Sequence, residues 1–212
     1  MRDFPVFTTE YGVGSLVLKE IPYKGVAYIT IRDSAQPEEF LKECTDFCRA
    51  VGAKTVYATG SRMLEKYPLQ SSVIQMSAAW ELIPETDACL FPVTEVTLTQ
   101  WQQIYNDRMQ GVDNAAYMPD RVAKDMLERG DGYFIHRDGQ FLGIGMASDD
   151  RIDCIASVVP GKGRDVVCAL VHALLSDRVI WEVASTNHRA IKLYESLGFI
   201  QTAEKSRWYK IF

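Results

Sequence analysis

Two passages of the sequence bring together residue types that could do chemistry. The first is Ile155-Ala156-Ser157-Val158-Val159-Pro160-Gly161-Lys162-Gly163-Arg164-Asp165-Val166. An apolar run turns on two glycines into a helical pattern, and a helix start carries unpaired backbone N–H groups and the positive end of the helix dipole. Glycine lets a ligand approach the backbone closely, so a pyrophosphate could be cradled there, with Lys162 and Arg164 adding positive charge. The same turn also serves as an ordinary strand-to-helix connection. The second passage is Asn187-His188-Arg189-Ala190-Ile191-Lys192-Leu193-Tyr194-Glu195-Ser196-Leu197-Gly198-Phe199. It places Ala190, Leu193, Tyr194 and Leu197 on adjoining positions of one helix, with Gly198 as terminator. Taken alone, Tyr194 reads as a core aromatic whose hydroxyl reaches the edge.

The elements around these passages follow from periodicity. The spacing predicts strands at Tyr133–His136 and Gln140–Ala147 about the turn Arg137-Asp138-Gly139, then a nearly all-apolar strand at Ile152–Val159. These make a three-strand antiparallel meander whose last strand is expected to be central and buried on both faces. A strongly apolar helix at Asp165–Leu175, a strand at Val179–Val183, a helix at Asn187–Leu197 and a strand at Ser206–Phe212 complete this half. Ahead of the meander, Thr99 with Gln102 three residues on predicts a capping box opening a helix. A second helix is expected from about Asp120 to Arg129, ended by Gly130.

The pattern changes near Pro84–Pro92, which divides a region 1–89 from a region 90–212. In the first region strands are expected around Ser15–Leu18 and Val26–Ile31. A helix at Pro37–Val51 follows, with an apolar stripe of Phe40, Leu41, Cys44, Phe47 and Cys48, stopped by Gly52. Thr55–Ala58 reads as a strand, Arg62–Tyr67 as a short helix and Val73–Met76 as a strand.

Composition narrows the function classes. A net charge of −5 over 212 residues argues against a general nucleic-acid binder, which needs a basic face for phosphates. No apolar run is long enough to span a bilayer, and Met1-Arg2-Asp3-Phe4-Pro5 lacks the apolar stretch of a signal peptide. Five cysteines at irregular spacing fit a reducing cytosol better than a disulfide framework. Cys44 and Cys48 lie one helical turn apart, but none of the three histidines has ligand spacing to them, so they read as buried thiols and no metal is expected. Cys154 and Cys168 lack an activating neighbour in sequence, which argues against a nucleophilic cysteine. The expectation is a cytoplasmic protein without membrane, nucleic-acid or metal partners, a monomer or homodimer.

Together the two passages resemble the GNAT superfamily of N-acetyltransferases. In that family a buried strand leads through a glycine-rich loop into a helix that holds the pyrophosphate of acetyl-CoA. The following helix carries N-x-x-A-x-x-x-Y-x-x-x-G-F, complete here as Asn187, Ala190, Tyr194, Gly198 and Phe199. The resemblance covers rather more than half the chain. It implies a mixed α/β fold of the GNAT acyl-CoA N-acyltransferase kind, with a mostly antiparallel sheet and helices on both faces. It also implies transfer of an acetyl group from acetyl-CoA to a primary amine of a small molecule or peptide. The strand edge at Ser157 and Val158 would bind the pantetheine arm, and a strand N–H near Val158 would polarise the thioester carbonyl. Backbone N–H groups of Gly161, Lys162, Gly163, Arg164, Asp165 and Val166 would take the pyrophosphate. Asn187 would touch the arm or position its helix, and Tyr194 would protonate the departing thiolate.

Three features depart from that pattern or leave it open. Pro160-Gly161-Lys162-Gly163 follows Val158-Val159 at once, where the family has a longer R/Q-x-x-G-x-G/A loop. Asp165 would repel a pyrophosphate unless Lys162 and Arg164 compensate. A general base is not singled out: Asp153, Glu182 and His136 are candidates, whereas His172 reads as a satisfied core or edge histidine. The altered loop leaves a non-catalytic acyl-CoA sensor, or a protein keeping only the fold, as alternatives. Region 1–89 repeats the order strand, helix, strand, short helix, strand, and its loop Arg32–Gln36 has no glycine. That suggests a degenerate half-copy of the same fold without a cofactor site.

Overall fold

The computed structural model describes residues 5–174 and 176–212. Two compact units emerge from the packing: residues 1–73 with 205–212, and residues 74–204. The expected helix end at Leu175 and the N-terminal Met1–Phe4 lie outside the described residues.

Unit 1 begins as an antiparallel meander of β1 (Val6–Thr8), β2 (Gly12–Val17) and β3 (Val26–Ser34), with Leu16 opposite Ile29. A one-turn helix, α1 (Ile21–Lys24), interrupts the connection of β2 to β3 and ends at Gly25. Helix α2 (Pro37–Ala50) then crosses to β4 (Thr55–Thr59), parallel to β3 through five consecutive partners from Val26↔Thr55 to Thr30↔Thr59. Pro37 sits at the helix start with Glu38 and Glu39 in the first turn, as the dipole favours. At the other end Gly52 at φ +98° donates to Arg49 O while Ala53 donates to Cys48 O, a Schellman ending. Phe40, Leu41, Cys44 and Cys48 are buried against the sheet, but Phe47 stays partly exposed and its ring meets Phe7 at 5.3 Å. After a 3₁₀ turn at Arg62–Lys66, strand β5 (Leu69–Ala79) leaves the unit. The end of β11 (Ile200–Lys210) returns to it, Tyr209 lying opposite Ala58.

Unit 2 has the strand order β5, β10 (Arg178–Ala184), β9 (Arg151–Ser157), β8 (Gln140–Ser148), β7 (Gly132–Arg137), β6 (Cys89–Pro92). Strands β6 to β9 are antiparallel, and β10 is parallel to β9 after the crossover helix α5 (Gly163–Ala173). The β7–β8 turn is Asp138-Gly139, both at positive φ as a type I′ hairpin requires. Helices α3 (Leu98–Met109) and α4 (Asp120–Arg129) bury Trp101, Tyr105, Ala123 and Met126 with Ile144, Cys154 and Ala156 of the sheet. On the other face α5 and α6 (His188–Ser196) bury Val166, Leu170 and Tyr194 with Leu142, Ile152 and Trp181. The unit is a mixed α/β layer structure with helices on both sheet faces. No helix among the described residues is long and apolar enough to cross a membrane.

Several expectations change at the level of single elements. Strand β9 stops at Ser157 rather than Val159; its Ile152 is buried on the α5–α6 side and its Cys154 and Ala156 on the α3–α4 side, so it contributes to both faces, though not along its whole length. Ile152, Cys154 and Ala156 are buried while Asp153, Ile155 and Ser157 between them are not. The capping box at Thr99 does not form: α3 starts two residues earlier, at Leu98 behind Thr97. Gln102 instead donates to Met118 O and Asp120 Oδ1, tying α3 to α4. Helix α5 starts at Gly163 and β11 at Ile200, both ahead of the spans read from periodicity. Strands β1 and β6 and helix α1 are short elements that carry too few residues for a period to show.

Candidate active site

The site grows out of a ladder that stops early. Strands β9 and β10 share two rungs, Arg151↔Ile180 and Ile152↔Trp181, and then part. On its other side β9 stays bound to β8, and Val158 N–H donates to Leu142 O at 2.9 Å. Antiparallel bonding alternates along a strand, so Val158, Ala156 and Cys154 turn their N–H and C=O groups toward β8. Those of Ile155 and Ser157 point the other way, into the gap that β10 leaves, while Asp153 is the extra residue of a bulge opposite Met146 and Ala147.

At the end of β9 the chain makes a tight turn. Lys162 N–H donates to Val159 O, Pro160 occupies the second position and Gly161 the third at φ +81°, which is a type II turn. Ser157 Oγ donates to Val159 O at 2.9 Å and steadies it. A Cβ on Gly161 would meet nothing within 4 Å, so its glycine answers to backbone angle. A Cβ on Gly163 would come within 3.0 Å of Leu193, so that glycine answers to packing of α5 against α6. Beyond the turn, the N–H groups of Gly163, Arg164 and Asp165 open α5 and have no carbonyl one turn back. Val166 N–H is already bonded to Lys162 O at 3.2 Å.

The charge of Asp165 is compensated within the fold. Arg137 Nη1 stands 2.9 Å from its carboxylate and Lys162 Nζ 3.8 Å. The compensation expected from Arg164 comes instead from Arg137, which lies at the end of β7, 28 residues away in sequence.

Tyr194 is buried on α6, its ring against Trp181 at a centroid distance of 4.5 Å, and Trp181 in turn stacks on Phe199 at 3.8 Å. Burial, and then the nearby thiol of Cys154 on β9, push the phenol above its ordinary range. The hydroxyl therefore stays protonated at any physiological pH. The Trp181 indole N–H is buried with no acceptor among the described residues. Asn187 caps α6, its side-chain oxygen accepting from Ala190 N–H at 3.2 Å, so it positions the helix that carries Tyr194.

Of the three candidate bases, Asp153 and Glu182 lie on β9 and β10 with exposed side chains, Asp153 3.7 Å from Arg151. His136 does not join them. It sits on β7, two strands from β9, paired with Cys89 and with its ring 5.3 Å from both Phe91 and Phe141. His172 Nε2 donates to Pro84 O at 3.0 Å, and the ring meets that of Trp80 edge-on. Cys154 and Cys168 are buried, and burial raises both thiols, so neither is an activated nucleophile. Among the described residues no cluster of His, Cys, Asp and Glu could hold a metal. Sequence reading misses Arg137, Trp181 and two tethers at the mouth of the gap: Arg108 Nη2 to Val158 O, and Thr186 Oγ1 to Asp113.

No protein-family model matches the sequence, and none of the curated proteins matches it. Solved structures do. A GCN5-related N-acetyltransferase from Anabaena variabilis superposes with a TM-score of 0.61 at 12% identity, over 94% of this chain and 59% of that one. A conserved protein of unknown function from Staphylococcus epidermidis gives 0.60 at 11% identity, over 99% and 94%. A tandem GNAT protein from the clavulanic acid biosynthesis pathway gives 0.54 at 11% identity, over 94% and 78%. With the parted strands, the turn into α5 and the tyrosine helix α6 in place, the chain has the fold of the GNAT acetyltransferases.

Proposed function

We propose that the chain transfers an acetyl group from acetyl-CoA to a primary amine, directly and through a ternary complex. One observation carries the reading: the β9–β10 ladder ends at Ile152 and Trp181, leaving a polar strand edge that runs toward the free N–H groups of α5. An extended amide-bearing arm can pair with such an edge as a further strand would, and a pyrophosphate suits the helix start at its end. The residues present fit that ligand.

The N–H and C=O groups of Ile155 and Ser157 would hold the arm, and one of these N–H groups would polarise the thioester carbonyl. That role does not fall to Val158, whose N–H is bonded to Leu142. The N–H groups of Gly161, Gly163, Arg164 and Asp165 would take the pyrophosphate, with Lys162 contributing its ammonium, since the N–H groups of Lys162 and Val166 are already bonded within the turn and the helix. Acetyl-CoA supplies the acyl group as an activated thioester. Tyr194, protonated and wedged against Trp181, would donate its hydrogen to the departing sulfur and stabilise the charge there. Asp153 and Glu182 remain as proton acceptors for the amine. Region 1–89 would be a half-copy of the fold in which β3 and β4 stay paired through five rungs, with no gap for an arm.

The test is a thermal-shift titration with acetyl-CoA, free CoA and a nucleotide lacking the pantetheine arm. At about 100 times its dissociation constant a bound ligand stabilises the fold by roughly 2.7 kcal/mol. A rise with acetyl-CoA and CoA, absent with the control, supports the cofactor site. No rise with any of the three overturns it. Binding without turnover across an amine panel would point to a sensor with the same fold.

A further inference from the structure

The two diverging strands are held together at their open ends by a third piece of chain. Strands β9 and β10 are parallel and part toward their C-terminal ends, so Val158, just past β9, and Thr186, just past β10, lie on opposite lips of the gap. The guanidinium of Arg108, at the end of α3, donates to Val158 O at 3.3 Å. Five residues on, Asp113 Oδ2 accepts from the Thr186 hydroxyl at 2.7 Å. The link between them is short. A turn with Val112 N–H on Met109 O follows the end of α3, and even fully extended the five residues would reach about 17 Å. The chain from Arg108 to Asp113 therefore runs from one lip to the other.

We propose that Arg108 and Asp113 are positioning residues whose segment straps the mouth of the β9–β10 gap and fixes its width around the ligand arm. The inference rests on the acyl-CoA reading above. Each tether is solvent-exposed and weak by itself. Their effect comes from acting in series: with either end released, the strap no longer spans the lips. Two distant bonds should then behave as one, whereas bonds that merely decorate separate loops would add.

The experiment uses the full chain loaded with CoA and measures CoA release by stopped-flow displacement with excess acetyl-CoA. The variants are Thr186→Val, Arg108→Met and the pair together, with Arg108→Gln as a control that can still donate to Val158 O without a charge. The strap predicts release faster by about three- to tenfold in each single variant. It predicts the same rate again in the double variant, near-native release in Arg108→Gln, and unchanged melting of the ligand-free protein. Thr186→Ala repeats the test should the valine variant fail to fold. Native release in the single variants, or effects that multiply in the double, would overturn the strap while leaving the binding site intact. Failure of the unaltered chain to bind CoA would overturn the acyl-CoA reading itself, and the strap with it.

Discussion

Trp181 on β10 faces Ile152 on β9 across the last rung of their ladder, and the ring of Tyr194 rests on that same indole. The point where the strands part and the point where the phenol is anchored are thus one place. A side chain that marks the end of the pairing also packs against the phenol proposed to act in the opening.

Tyr194→Phe keeps the aromatic stack and removes the hydroxyl. Acetyl transfer should fall by about 10²-fold, with acetyl-CoA affinity changed little, because the lost contact matters in the transition state. The pH profile carries a second expectation. Burial holds the phenol above its ordinary 10.0, so the native rate should show no falling limb from this group up to that pH. Steady-state kinetics with isothermal binding measurements check both, and unchanged turnover in the variant removes Tyr194 from the chemistry.

Asp165→Asn removes the one anion at the start of α5 and leaves Lys162 and Arg137 unopposed. Acetyl-CoA should bind several-fold tighter, with a steeper loss of affinity as salt rises. Arg137→Met should do the reverse, because the Asp165 charge then faces the ligand with one partner fewer. Calorimetry at two salt concentrations separates the two, and weaker binding in Asp165→Asn would mean the carboxylate orients the turn instead.

Asn187→Ala should cost about 1 kcal/mol in urea unfolding through the lost cap, and Asn187→Asp should recover most of it. Gly145→Ala is expected to cost about 1–3 kcal/mol, since its Cβ would stand 2.3 Å from a methyl of Leu170, which packs α5 onto β8. A Gly145→Ala protein as stable as the parent would show that α5 can shift without penalty.

Alkaline pH should unfold the protein through its buried thiols. Burial raises Cys44 from 9.0 to about 12 and Cys48 to about 11. A group whose folded pKa lies above its unfolded one stabilises the fold fully below the unfolded value. That contribution is lost as pH rises through the folded one. Stability should therefore decline from about pH 9 upward, and less steeply in a Cys44→Ala, Cys48→Ala variant. Melting curves between pH 7 and 11 would expose an equal decline, which would place the titrating groups elsewhere.

The long periodic elements were legible from the sequence: α2 and α4 agree with their expected spans within a residue, because apolar spacing and terminal glycines both mark them. The local parts of the site were legible too, since Pro160-Gly161 dictates its turn and Asn187 its cap. What could not be read is pairing across the fold. Arg137 neutralises Asp165 from another strand, and Arg108 reaches Val158 over 50 positions. The open edge of β9 arises because β10 leaves it, a fact absent from β9's own apolar residues. The resemblance implies a carbonyl-polarising N–H near Val158, but Val158's own N–H is bonded to Leu142 O, a pairing the sequence does not display.

Unit 1 opens with residues near the start of the chain and closes with Tyr209 and Lys210 on β4. On a ribosome its first seventy or so residues emerge early, yet the outer edge of β4 waits through the synthesis of the whole of unit 2. The interval leaves Tyr57 and Ala58 with open backbone groups on a strand able to recruit the wrong neighbour. The outer edge of β4 therefore cannot be closed until residues 205–212 have been made.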